Sequence, residues 1–226
     1  MVIFEFEARP SDSPYVDQIW HARSERSGVF QSIATNQWEM VVTHRDGKSM
    51  FTVRGPETKA TPLFCDAGGE WVGIRFQVGA FMPHLPVNAL VDTDLTLPGA
   101  GTKSFYLDGT AWQFPDFENA DTFVDRLARE GLLAIEPVVD KVLQGQLNDM
   151  SMRSVQRRFV RATGLTRKSI QQIERARSAM TLLQNGMSIL DTVYEAGYYD
   201  QPHLTRSLKR LFGQTPAEIV VGTSLE

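Results

Sequence analysis

The sequence has little of what marks a disulfide scaffold or a membrane protein. It holds one cysteine, Cys65, which excludes an intramolecular disulfide and favours a reducing, cytoplasmic location. No apolar run approaches the roughly 20 residues that span a bilayer. The first residues, Met1-Val-Ile-Phe, lack the basic start and cleavage site of a signal peptide. We therefore expect a cytoplasmic protein with no membrane partner.

Positive charge is also scarce over the whole chain, whose net charge is −4, but it is unevenly distributed. Residues 1–135 hold 11 Lys and Arg against 18 Asp and Glu, whereas residues 136–226 hold 12 against 9. Within residues 151–212 the basic residues number 11 and the acidic ones 4. An acidic half joined to a basic half indicates that only the second half meets a polyanion.

The aromatic residues divide the chain at the same place. Of 22 Phe, Trp and Tyr residues, 17 precede residue 136, among short apolar runs separated by glycine and proline. This pattern predicts a β-sandwich or β-barrel. Asp46-Gly47 suits a two-residue hairpin turn, because a type I′ turn needs positive φ.

A helical period follows this region. Asn119 can cap a helix that Gly131 ends, with an apolar stripe that includes Phe123, Val124 and Leu127. The stripe either covers the barrel or pairs with a second subunit, and both alternatives stay open at this point.

Two later segments have the pattern of a capped helix with a polar outward face. In the first, Ser151 is a natural cap and Val155 and Phe159 fall on one side. In the second, Asp200 caps a helix with Leu204 and similar residues inside. Ahead of the second, Ile189–Ala196 forms a short helix and Gly197-Tyr198 a turn, which together predict a helix-turn-helix.

The outward residues suit DNA. Long donors pair bidentately with guanine and amides pair with adenine, and the two faces supply Arg153, Gln156, Arg157, Gln201 and Arg206. His203 shares the second face. The cations better placed for phosphate oxygens are Arg158, Lys209 and Arg210.

The stretch Ser151–Ile219 resembles the AraC/XylS family of bacterial transcription regulators. The residues that carry the resemblance are Ser151, Val155, Arg157, Phe159, Thr163, Gly164, Arg175, Arg177, Ala179, Leu182, Leu183, Ile189, Gly197, Tyr198, Asp200, Gln201, His203, Leu204, Arg206, Leu208, Lys209, Arg210, Gly213, Thr215 and Pro216. The second half of this match is the sharper one.

The resemblance implies two recognition helices that enter successive major-groove faces of one duplex, joined by a helix over residues 169–185. By position, the implied base-reading residues are Arg153, Gln156 and Arg157 in the first unit and Gln201, His203 and Arg206 in the second. The sequence departs from the family in one respect. The segment Glu136–Gly145 provides a single helix ahead of the first unit, where the family has two, so that unit is trimmed.

The first half is similar to the cupin-like sensor domains that are fused to such modules. We therefore predict an α+β protein of two domains, a cupin-like β-barrel or sandwich over residues 1–131 and an all-α domain with two helix-turn-helix units over residues 132–226. The β-domain would bind a small-molecule effector or dimerise. The candidate pocket residues are Trp20, Trp38, Trp71, Phe81 and Trp112, although aromatic residues of this kind more often form a core.

Two other functions remain open: a cupin-type metalloenzyme, or a module that binds a protein through its helical region. Metal-binding cupins show a close His-x-His pair with a nearby Glu, a spacing that the four histidines, His21, His44, His84 and His203, do not have. We therefore expect no metal, no cofactor and no catalysis. The expected partners are double-stranded DNA, a small-molecule effector, RNA polymerase and a second copy of the chain.

Overall fold

The computed structural model describes residues 4–146 and 151–223. Its largest element is an antiparallel six-stranded sheet in the order β1-β2-β7-β4-β5-β9. These strands are β1 (Phe4–Arg9), β2 (Val16–Ser24), β4 (Glu39–Arg45), β5 (Lys48–Arg54), β7 (Glu70–Phe76) and β9 (Asp94–Thr96). The amino-terminal half is thus β-rich, as the sequence predicts.

Smaller sheets complete this half. A two-stranded ribbon pairs β3 (Gly28–Ser32) with β6 (Thr61–Cys65). A three-stranded sheet holds β10 (Gly99–Gly101), β11 (Ser104–Leu107) and β12 (Thr110–Gln113). A last pair joins β8 (Ala80–Phe81) to β13 (Ala134–Ile135).

The β4–β5 hairpin turns where the sequence predicts it. Asp46 has φ 51° and Gly47 has φ 69°, and the flanking Arg45 and Lys48 are register partners. Two consecutive positive φ values are what a type I′ turn requires, so the twist of the turn matches that of the strands.

The helix α1 (Ala120–Arg129) covers the β-domain core. Its Phe123, Val124 and Leu127 belong to the same buried cluster as Phe51 and Phe105, whose rings stack at 4.1 Å. Of the two alternatives that the sequence left open, covering is the one observed.

The capping prediction at this helix was wrong in one detail. Asn119 occupies the cap position, but its side chain makes no capping hydrogen bond; instead its Oδ1 accepts from the Asp116 backbone N–H at 3.0 Å. Gly131, with φ 74°, follows the helix end, as expected.

The β-domain extends a few residues past the predicted boundary at residue 131. Leu132 and Leu133 are buried in the β-domain cluster, and Ala134–Ile135 pair with β8. The helical half therefore starts at Glu136. This difference arises because apolar residues after Gly131 find a partner strand that is distant in sequence.

The helical half contains α2 (Pro137–Leu143), α3 (Met152–Thr163), α4 (Arg167–Gln184), α5 (Ile189–Glu195), α6 (Gln201–Phe212) and α7 (Pro216–Thr223). A second buried cluster joins them through residues such as Phe159, Ile173, Ala176, Leu204 and Leu208. Ala34 of the β-domain belongs to this cluster too, so the two halves share a core. None of the helices in the described ranges is long and apolar enough to cross a membrane.

Candidate nucleic-acid interface

The helix α3 presents the first predicted reading face. Ser151 caps it by accepting a hydrogen bond from the Ser154 backbone N–H at 3.3 Å. Val155 and Phe159 are buried, as their spacing predicts. The opposite side carries three exposed residues that line one shallow groove: Arg153, Gln156 and Arg157.

Arg158 lies apart from this face. Its Nε donates to Oε2 of Glu136 at 2.9 Å and its Nη2 donates to Oε1 at 2.6 Å. The hydrogen bonds to Glu136 and then the charge of that carboxylate raise the pKa of Arg158. Glu136 also caps α2, since Oε1 accepts from the Val138 N–H at 3.1 Å. The guanidinium of Arg158 thus ties α3 to the start of α2. The phosphate contact predicted for Arg158 would require its ion pair with Glu136 to open.

The second unit has the predicted helix, turn and capped helix. Ser188 caps α5, and Gly197 takes a left-handed conformation with φ 67°. Asp200 caps α6 by accepting from the His203 N–H at 2.7 Å. Pro202 sits in the first turn of α6, where its missing N–H has no partner to lose. The exposed residues of this helix include Gln201, His203, Arg206, Lys209 and Arg210.

Tyr198 positions this face from beneath. It is 7% exposed, and its hydroxyl lies 3.0 Å from Oγ of Ser207. Its ring meets His203 edge-on at 5.1 Å, and Cζ of Arg175 lies 5.8 Å from the ring centroid. Burial raises the pKa of Tyr198. Tyr198 therefore contacts one residue of α6 and one of α4, His203 and Arg175, through its ring.

Lys209 is only partly engaged. Its Nζ lies 3.4 Å from Oε2 of Glu218, and both side chains are more than half exposed. Hydrogen bonds from Thr215, first from its backbone N–H, and then Lys209 hold the pKa of Glu218 below its usual value. Because an exposed pair of this kind is weak, a phosphate oxygen can replace the carboxylate.

The start of α4 joins the two faces. One groove is lined by residues of α3, such as Arg153 and Gln156, together with Arg167 and Lys168 of α4. A second groove is lined by Lys168 and Arg175 of α4 together with residues of α6 that include His203, Arg206 and Arg210. Lys168 lines both grooves, so the two grooves meet at the start of α4.

Sequence reasoning missed Arg167, Lys168 and Arg175 as interface residues because it treated α4 as a linker. The signal was present: Lys168 and Arg175, seven apart, fall on one side of a helix.

Three of the predicted base-contacting arginines have no acidic partner among the described residues. Among residues 4–146 and 151–223, no ion pair involves Arg153, Arg157 or Arg206. Three guanidinium groups that keep their donors available at a surface fit recognition of an anionic or acceptor-rich partner.

Three of the five predicted pocket residues belong to the β-domain core cluster or pack against it. Trp38 stacks on Phe76 at 3.9 Å within the core, and Trp112, also buried, packs edge-on against Phe123. Phe81 packs against the same cluster and lies under Arg161. Trp20 and Trp71 lie on the paired strands β2 and β7, where Trp20 donates to Glu39 and Trp71 meets Phe4. No ring contact in the described part of the chain joins two of the five, and their role in a ligand pocket stays a prediction.

Two of the three histidines of the β-domain have ordinary polar partners. Nε2 of His21 lies 2.8 Å from Oε1 of Glu70, and Nδ1 of His44 lies 2.8 Å from Oγ of Ser49. Within residues 4–146 and 151–223, no group of three or more His, Cys, Asp and Glu side chains could hold a metal ion.

Comparison with known proteins agrees with this geometry. Residues 146–220 match the model of a family described as a helix-turn-helix domain, a range that contains α3 to α6. This stretch of the helical half is therefore similar to a helix-turn-helix domain. A search of curated protein sequences found no match.

Two solved structures are similar over nearly the whole chain. ToxT from Vibrio cholerae is 8% identical, with 97% of this chain and 98% of that chain covered and a TM-score of 0.39. A structure of ToxT bound to (E)-4-(8-methylnaphthalen-1-yl)but-3-enoic acid is 9% identical, with 98% and 100% covered and a TM-score of 0.38.

Proposed function

We propose that the protein is a sequence-specific, double-stranded-DNA-binding transcription regulator of the AraC/XylS type. The observation that carries this proposal is that exposed donors of α3 and α6 line two grooves that meet at Lys168, at the start of α4. One duplex can therefore reach both faces. The proposed function is not enzymatic.

The residue types divide into two roles. Arg153, Gln156 and Arg157 on α3 reach base edges in one major-groove segment. The corresponding residues on α6 are Gln201, His203 and Arg206. Phosphate oxygens on either side are contacted by the remaining cations, which are Lys209, Arg210, Arg167, Lys168 and Arg175.

The length of α4 fits this arrangement. At 1.5 Å per residue its 18 residues span about 27 Å. Successive major-groove faces on one side of a duplex lie about 34 Å apart. Since the recognition helices lie at the flanks of α4, their reading residues can meet segments one turn apart.

Selection of duplexes from a random pool tests the proposal. The full chain should enrich a motif with two conserved blocks, and its affinity for that motif should fall by about 0.9 log units per log unit of salt for each phosphate contacted. A pool that yields no motif, together with binding that ignores salt, would contradict it.

Further aspects of the proposal concern partners. We expect a small molecule bound in the β-domain to modulate DNA binding, and RNA polymerase and a second copy of the chain to be contacted in a cytoplasmic setting. One feature supports the first of these: Nε1 of the buried Trp112 has no hydrogen-bond acceptor among the described residues. Quenching of tryptophan fluorescence by a candidate effector, lost in Trp112→Phe, would test it.

A further inference from the structure

The glycines that end the two recognition helices have a different environment from the other left-handed glycines of the helical half. An added Cβ at Gly186 or Gly197 would meet no atom within 4 Å. At Gly164, which ends α3, it would lie 3.0 Å from Cγ2 of Val91. At Gly213, which ends α6, it would lie 3.1 Å from Cδ of Gln31. Both recognition helices thus end directly against the β-domain.

Around Gly164 the contact is a close apolar fit. Besides Val91, an added Cβ would lie 3.2 Å from Cγ of Pro56 and 3.2 Å from Cγ1 of Val87. Three residues thus close on the helix end. The last turn of α3 is also held by Arg161, whose Nη2 donates to the Pro83 carbonyl oxygen at 3.2 Å. These residues surround the carboxyl end of α3 and leave its reading face open.

At the end of α6 the contact uses backbone hydrogen bonds. The Leu211 carbonyl oxygen accepts from the Ala34 N–H at 2.8 Å, and the Arg210 carbonyl oxygen accepts from the Ala60 N–H at 2.8 Å. The last carbonyls of a helix have no partner within it, so these two donors from the β-domain act as its cap. Ala34 and Ala60 flank the ribbon β3–β6, which thereby ends on α6.

A third contact reaches the connecting helix. Nδ2 of Asn36 donates to Oε1 of Glu174 on α4 at 2.8 Å, and Asn36 is 6% exposed. Oε1 of Glu174 also accepts from Nη1 of Arg177 at 3.0 Å. The β-domain therefore contacts α3, α4 and α6.

We propose that the β-domain is a clamp that fixes the distance and angle between the two recognition helices. This inference rests on the proposed function. Two units held only by α4 and the buried cluster of the helical half could shift against each other and would accept half-sites at several spacings. Contacts at both helix ends remove that freedom before DNA binds, so only one half-site spacing fits. Because the two helices are already fixed, less conformational entropy is lost when DNA binds. Asn36 is a positioning residue in this clamp.

Asn36→Asp tests the clamp, because it keeps the shape of the side chain but sets a carboxylate against Glu174. The matched rescue is the double variant Asn36→Asp/Glu174→Gln, which removes the repulsion and returns an amide donor to the contact. Glu174→Gln alone is the control. The probes are the best duplex from selection and versions with one or two base pairs added or removed between its two blocks.

Wild type should lose about tenfold or more in affinity on each altered spacing, equivalent to about 1.4 kcal/mol. Asn36→Asp should bind the original duplex about five- to tenfold more weakly, and its further loss on altered spacings should shrink to about twofold. The double variant should restore the steep spacing profile. Arg206→Ala should bind every spacing more weakly while the profile keeps its shape.

An unchanged spacing profile in Asn36→Asp would overturn the clamp, as would tighter binding, because the contact would then inhibit binding. Should Asn36→Asp fail to fold by circular dichroism, Asn36→Ala removes the contact without adding charge and should also flatten the profile. Failure of wild type to bind any selected duplex would remove the proposed function itself, an outcome distinct from normal binding with no preference for spacing.

Discussion

The two helix-turn-helix units of this protein differ in what supports their recognition helices. The second unit has its own first helix, α5, and the open turn at Gly197. The first unit also has a seven-residue first helix, α2, and Glu136 at its start holds Arg158. Pro56, Val87 and Val91 close on Gly164 at the end of α3, whereas α6 ends on backbone hydrogen bonds from the β-domain. A neighbouring domain can therefore support two recognition helices by different means, apolar packing at the end of α3 and backbone hydrogen bonds at the end of α6.

The largest expected effect is a difference in stability between the same glycine substitution made in each unit. Gly164→Ala and Gly197→Ala both place a side chain at positive φ, which costs about 1–2 kcal/mol. Gly164→Ala also forces a methyl group against three packed side chains, for about 1–3 kcal/mol more. Denaturant unfolding should thus show a larger loss for Gly164→Ala. Equal losses would break the comparison.

The next effect is on the affinity and base preference of DNA binding. Arg157→Ala and Arg206→Ala should each lower affinity for the selected duplex by about 1–3 kcal/mol and relax preference at different base pairs. Titration of single-base variants of the duplex would measure both. If Arg157→Ala bound every variant as wild type does, the trimmed unit would not read DNA.

A smaller effect sharpens the account of the second unit. Tyr198→Phe should cost about 1 kcal/mol through loss of the hydroxyl contact with Ser207. Because burial raises the pKa of Tyr198 above that of the unfolded chain, the neutral phenol favours the folded state below the unfolded pKa. That stability is lost as pH rises through the folded value. Unfolding at alkaline pH should show this loss in wild type and a weaker one in Tyr198→Phe.

The smallest effect separates Arg158 from its neighbours. Arg158→Ala should lower the melting temperature slightly, since it frees α3 from Glu136, and should leave the salt slope of DNA binding unchanged. Arg157→Gln is the neighbouring control, expected to alter sequence preference with little change in stability. A reduced slope in Arg158→Ala would mean that the pair opens and that Arg158 contacts phosphate.

The sequence predicts local features well and tertiary ones poorly. The caps at Ser151 and Asp200 and the turn at Asp46-Gly47 were confirmed because each depends on residues within a few positions of one another. The pair between Arg158 and Glu136, 22 residues apart, and the bond between Asn36 and Glu174, 138 apart, carry no local signal. Gly164 was readable as a helix end, but the approach of Val91 to it was not.

A footprint by hydroxyl-radical cleavage and base-methylation interference on the selected duplex tests the central claim most directly. If α3 and α6 present their donors on one side of α4, methylation should weaken binding at two patches of major-groove bases. These patches should lie on one face of the duplex, about 10 base pairs apart. Arg157→Ala should erase one patch and Arg206→Ala the other. A single patch lost with either variant, or two patches on opposite faces, would contradict it.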